Sequence, residues 1–265
     1  MKKIKLYEAD DKMIDLISDN YSMLQCLAAF GIRLGFGDKT VQEVCHEQDV
    51  DCYTLLATNN FLINGMSPGE ADGRFSVKTM MGYLLASHRF SIDYQLPAIR
   101  KKLESSLPAE DARTAIILHL YDDYAHSVRR HMLYEEQTFF PYIQALVQGE
   151  RTEKNAVDSF SKHHQSISIK FHELKNIIIK YYTSPTTPEQ LNMVLFDIFE
   201  CEADLRTHCR LEDDLFVPAV KILELTAEQS AGKDGEDEAG AGAAGQLSER
   251  ECEIVRCVVR GMANK

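Results

Sequence analysis

Residues 131–141 read HMLYEEQTFFP and residues 208–218 read HCRLEDDLFVP. Both carry His, then Glu at +4, an acid at +5, Phe at +8 and Pro at +10, so one device occurs twice in the chain. A spacing of four residues puts an imidazole and a carboxylate on one face of a helix, a turn apart, where both reach the same point. The reading turns on whether that face is the buried one.

The flanking apolar residues place it there. The second copy lies on the stripe Ile198, Cys201, Leu205, His208, Glu212, Leu215 and Ala219. The first lies on Ile117, Tyr121, Tyr124, Val128, His131, Glu135 and then Thr138 or Phe139. Steps alternating between three and four are those of an amphipathic helix. Glu135 and Glu212 thus sit on core stripes, where an unpaired carboxylate is so costly that it is normally paired or bound to metal.

Two further stripes each supply one histidine. Met81, Leu84, His88, Ile92, Leu96, Ile99 and Leu103 form the first; Val157, Phe160, His164, Ile167, Phe171, Leu174 and Ile178 form the other. His163 adjoins His164, but its own stripe runs into Lys170, which favours His164 as the inward residue and keeps His163 as the alternative. Glu136, Asp213 and Asp214 fall off the stripes and read as solvated. His46, His119, His126 and His172 read as surface or hydrogen-bonded histidines.

The candidate metal ligands are therefore His88, His131, Glu135, His164, His208 and Glu212. Two cations fit them, each taking two imidazoles with the carboxylates bridging. Nitrogen and oxygen donors without thiolate suit iron or manganese, and zinc stays open.

Punctuation sets the organisation. Glycines at 31, 35, 37 and 65 break residues 1–66 into short helices, a small helical N-terminal domain. Residues 67–226 hold four long helices, with the helical pattern itself spanning about 76–222. An acidic start at Glu110-Asp111, a stop at Gly149 and a cap and N1 proline at Thr187-Pro188 mark their ends. Short connections between long helices imply an all-α, antiparallel up-down four-helix bundle. Residues 227–246 are acidic and rich in Gly and Ala, the composition of a flexible tether. Residues 247–265 form one further short helical segment.

Composition narrows the function classes. A formal net charge of −12 over 265 residues argues against broad contact with phosphate backbones. No apolar run is long enough to span a membrane, and MKKIKLYE at the N-terminus lacks the apolar core of a secretory signal, which leads to a cytoplasmic expectation. Seven cysteines without a CxxC pair fit a reducing compartment.

HMLYEEQTFFP, HCRLEDDLFVP, His88 before YQLP and His164 in SKHHQSI together resemble the hemerythrin-like domain of the repair-of-iron-centres proteins. The resemblance implies a hemerythrin-like bundle and a non-haem di-iron centre, carboxylate-bridged by two glutamates and carrying an oxo bridge. It favours stress response over oxygen storage, because oxygen-carrying hemerythrins use a fifth histidine. FGIRLGFGDKTVQEVCHEQDVD (residues 30–51) is similar to that family's N-terminal domain, except that Gly35-Phe36 stands where the family has a cysteine pair, with Cys45 kept. LSERECEIVRCVVRGMANK (residues 247–265) resembles the start of a LuxR-type helix-turn-helix, with a Ser248/Glu251 capping box. Lys265 precedes any recognition helix, so sequence-specific DNA reading is not expected of these residues.

Three functions follow as expectations. The first is sensing or binding of oxygen, nitric oxide or redox state, coupled to transcriptional regulation. The second is iron-sulfur cluster repair, with an iron-sulfur protein as client. The third is reduction of nitric oxide or peroxide, for which no catalytic acid, base or nucleophile can be singled out. A binding or repair protein is expected ahead of a turnover enzyme, acting away from membranes, with a homodimer as a further expectation.

Overall fold

The computed structural model of the chain describes residues 5–65, 74–149, 165–182 and 188–233. The expected ligand His164, its alternative His163 and the segment 247–265 lie outside these residues. Among the described residues there are helices and no β-strand.

Four short helices, α1 (Met13–Asp19), α2 (Met23–Ala29), α3 (Val41–Glu47) and α4 (Cys52–Asn64), come first. Thr40 and Glu43 close a capping box at α3, and Asp51 caps α4 by accepting from the Thr54 N–H. They enclose their own core of Met13, Leu16, Leu27, Phe36, Val41, Val44, Cys45 and Leu55. Phe36 fills this core. Gly35 and Gly37 on either side take positive φ, +94° and +64°, which lets the chain turn its ring inward.

Four long helices follow. The first is α5 (Val77–Arg89), a π-helical segment Phe90–Gln95 and α6 (Leu96–Ser106). The second is α7 (Ala112–Tyr134), a π segment Glu135–Phe139 and α8 (Phe140–Val147). The third is α9 (Gln165–Tyr181). The fourth is α10 (Pro188–Leu211), a π segment Glu212–Phe216 and α11 (Val217–Lys233), which carries the helix into the stretch read from sequence as tether.

Each π segment has a covalent cause. Pro97, Pro141 and Pro218 lie just beyond the three segments, and proline lacks the N–H that the carbonyl four residues earlier requires. Those carbonyls belong to Asp93, Gln137 and Asp214, all inside the π segments, where the wider turn avoids the ring and keeps the helix running. Sequence periodicity alone treated these helices as regular. The wider turn also settles the choice left open in the second helix: Phe139 is buried and Thr138 exposed. In the first helix, Met80 rather than Met81 goes fully inside.

The helix directions can be read from two apolar clusters. One joins Leu96, Ile99 and Leu103 to Tyr121, Tyr124, Leu174, Ile178, Ile198 and Leu205. The other joins Met80 and Leu84 to Phe139, Phe140, Ile143, Leu215, Phe216 and Val220. The first helix passes through the second cluster before the first, whereas the second and fourth helices pass through them in the opposite order. The third ends in the first cluster, as an up-down-up-down bundle requires. The Tyr121 hydroxyl donates to the Leu96 carbonyl at 2.8 Å, pinning the second helix to the first just beyond its π segment. Lys175 and Glu202, both nearly buried, pair across the third and fourth.

The N-terminal helices pack on the end of the bundle formed by the second cluster. Met23, Cys26 and Phe61 belong to that cluster, the Phe30 and Tyr83 rings lie 4.8 Å apart, and the Arg210 guanidinium sits 5.1 Å from the Phe61 ring. No described helix is long and apolar enough to cross a membrane.

Leu103 is wholly buried and Met193 is 62% exposed. Leu103→Ala is expected to lower the unfolding free energy by about 3 kcal/mol, and Met193→Ala to change it by no more than about 0.5 kcal/mol, in denaturant titrations of the same preparation.

Candidate metal centre

Between the two apolar clusters lies one polar layer. His88 comes from the end of α5, His131 from the last turn of α7, His208 from the last turn of α10, and Glu135 and Glu212 each open a π segment. His88, Glu135 and Glu212 are fully buried, and His131 and His208 nearly so.

The donor atoms converge. His88 Nε2 lies 3.1 Å from Glu135 Oε2 and 3.2 Å from His208 Nε2. His131 Nε2 lies 2.9 Å from Glu135 Oε1, and His208 Nε2 lies 3.1 Å from Glu212 Oε1. Donor atoms from His88, Glu135, His208 and Glu212 all fall within 4.8 Å of one another. Two nitrogen donors that each stand about 2.1 Å from a shared cation are separated by roughly 3.0–3.4 Å. The imidazole pair therefore has the spacing of ligands around one ion. Four buried donors with this geometry, two of them carboxylates, fit a divalent or trivalent cation far better than a network of neutral hydrogen bonds.

Glu135 divides its oxygens between His88 and His131, and Glu212 belongs to a second group of close donors with His131 and Cys209. Each carboxylate thus faces two sets of partners, the position a bridging ligand occupies.

Glu136 is where sequence reasoning fell short. Instead of lying in solvent, its Oε1 stands 3.0 Å from His88 Nδ1, with the side chain only 30% exposed. A carboxylate at Nδ1 sets the tautomer and ring orientation so that Nε2 faces the layer. The ring is also stacked on Phe140, at 5.6 Å between centroids and 18° between planes. The signal was present in the acid repeated at +5, but only the π segment and the approach of the first helix turn that residue toward a histidine. His119 and His126 are exposed, as expected, and His119 makes a surface pair with Asp123.

Without a cation, His88 has a well-defined electrostatic role. Burial works against a charge on its ring, yet the hydrogen bonds to Glu135 and Glu136 and the charges of Glu135 and Glu212 outweigh it, pushing its pKa up to about 9. The imidazolium then offsets part of the buried negative charge, and an entering cation displaces its proton.

Comparison with known families gives one match over this region: residues 91–220 match the Hemerythrin HHE cation binding domain. The matched segment carries His131, Glu135, His208 and Glu212, while His88 lies just ahead of it. No curated protein and no solved structure matches the chain. The bundle segment is thus similar to a cation-binding domain, and its buried His/Glu layer is the place where the chain can hold the ion.

Two measurements check this electrostatic account. A group whose folded pKa is raised stabilises most below its unfolded value. The His88 contribution to the metal-free protein is therefore complete below about pH 6.5 and lost as pH rises through about 9. The melting temperature of metal-free protein is expected to fall across that window, and to fall less steeply in His88→Gln. Glu136→Ala is expected to weaken metal binding by roughly ten- to a hundredfold in competition titrations with a chelator, leaving the stoichiometry unchanged.

Proposed function

We propose that the bundle holds a non-haem di-iron centre and that the protein binds and senses oxygen, nitric oxide or redox state during oxidative or nitrosative stress. The observation that carries this reading is the sharing of Glu135 and Glu212 between two donor groups, a use of carboxylates that a single cation does not require. In this reading His88 and His208 serve one iron, while His131 and the third-helix histidine His164 serve the other.

Bound iron would supply redox chemistry and open positions for a small ligand. The remaining work belongs to the chain. Glu136 holds the His88 ring in register. Phe139, Phe140 and Phe216 close one side of the layer, and Val128 and Leu205 close the other, keeping bulk water away while leaving an apolar surrounding suited to a diatomic gas. The π segment that begins at Glu212 leads directly into α11, and so toward residues 227–246 and the LuxR-like segment. A shift at Glu212 therefore has a continuous helix along which to pass as far as Lys233.

Iron-sulfur cluster repair is the second reading, supported by the small N-terminal helical domain seated on the site end of the bundle. It ranks second because Phe36 occupies the position of the family's cysteine pair and is committed to packing. Partners under these readings are oxygen or nitric oxide, an iron-sulfur client for the repair role, and a second copy of the chain.

Protein purified without oxygen is expected to contain two irons per chain, with Mössbauer parameters of a coupled pair, and its optical spectrum is expected to change on anaerobic addition of nitric oxide or on admission of oxygen. One iron per chain, or none, would overturn the di-iron assignment. Two irons with a spectrum indifferent to both gases would overturn sensing alone. Glu135→Ala combined with Glu212→Ala is expected to abolish binding of the pair.

A further inference from the structure

Cys209 follows His208 directly and is half-buried. Its Sγ, a ring nitrogen of His131 and a carboxylate oxygen of Glu212 all lie within 4.8 Å of one another. These donors come from two different helices, and Glu212 is the residue that also belongs to the His88 and His208 group. The two copies of the motif differ at this point. The residue after His131 is Met132, which is buried in an apolar cluster, whereas the residue after His208 brings a thiol close to His131 and Glu212. Helical periodicity puts Cys209 beside His208 but off the stripe that carries it, so its approach to His131 is visible only in the packed helices.

We propose that Cys209 is a thiolate ligand of the cation held by His131 and Glu212. The two metal positions are then chemically unequal: nitrogen and oxygen at His88 and His208, nitrogen, oxygen and sulfur at His131. On binding, the thiol loses its proton to solvent and its sulfur forms the bond to the metal, so each cation taken up at this position releases one proton from Cys209. A soft, negatively charged donor reduces the net positive charge at one position only and favours thiophilic ions there. This inference rests on the metal-centre reading above.

Zinc is the stringent probe, because it takes thiolate readily and has distinct bond lengths to sulfur, about 2.3 Å, and to nitrogen or oxygen, about 2.0–2.2 Å. The full chain, stripped of metal and loaded with two equivalents of zinc, is examined by X-ray absorption at the zinc edge, alongside Cys209→Ser. The expected result is a sulfur shell amounting to one sulfur per two zinc ions, lost in Cys209→Ser with both zinc ions retained. A wild-type spectrum with two bound zinc ions and only nitrogen and oxygen neighbours overturns the proposal, whether or not the variant folds. A sulfur shell that persists in Cys209→Ser overturns it too, by placing the sulfur elsewhere. Failure of the wild-type chain to hold zinc or iron at all removes the metal-centre reading itself, an outcome distinct from the other two.

Discussion

Two carboxylates with no exposed surface, Glu135 and Glu212, face each other's partners in the middle of a helical bundle, and the rest of the molecule is organised around that fact. Removing an ionised carboxylate from water costs several kcal/mol even after the protein relaxes, and hydrophobic packing cannot return it. Compensation has to be positive charge at short range. In the metal-free chain the His88 imidazolium supplies part of it, held between Glu135 and Glu136. A cation shared by the imidazoles and carboxylates supplies it more completely, because each donor is then satisfied in its deprotonated form. Apolar clusters on both sides of the layer raise the strength of these interactions by excluding water.

The helices that present these groups are not regular, and their irregularity is tied to the site. Glu135 and Glu212 each stand at the first position of a π segment, and His88 stands just before the third. A proline beyond each segment prevents the ordinary turn from continuing, so the wider turn is built into the covalent chain. At the ends of two of these segments three phenylalanines, Phe139, Phe140 and Phe216, pack ring edge to ring face as one wall of the layer.

The N-terminal domain has a core of its own. Phe36 is buried among Leu27, Val41 and Leu55, with flanking glycines providing the turn. Cys45 belongs to the same core, where burial and the adjacent Cys52 and Asp51 push its thiol well above the ordinary range, so it packs as a neutral group. The contacts of Met23, Cys26 and Phe61 then make the domain a continuous extension of the bundle core.

Much of this was legible in the chain alone. Helical periodicity is local, so the stripes through His88, His131, Glu135, His208 and Glu212 could be traced from residue spacing, and all five prove to be buried in one layer. The same pattern assigned His164 to the third helix, outside the described residues. What spacing does not contain is the approach of groups distant in sequence. His88 and His208, 120 residues apart, meet nitrogen to nitrogen only because the first and fourth helices lie side by side. Glu136 reaches His88 for the same reason, from within a π segment of the second helix, and Cys209 comes near His131 because the second and fourth helices lie close together. The sequence by itself determined the inward positions of His88, His131, Glu135, His208 and Glu212, since they follow from a repeat of three and four. Only the tertiary structure decided which of them bring their donor atoms together, because that depends on the distance between helices rather than the period along one.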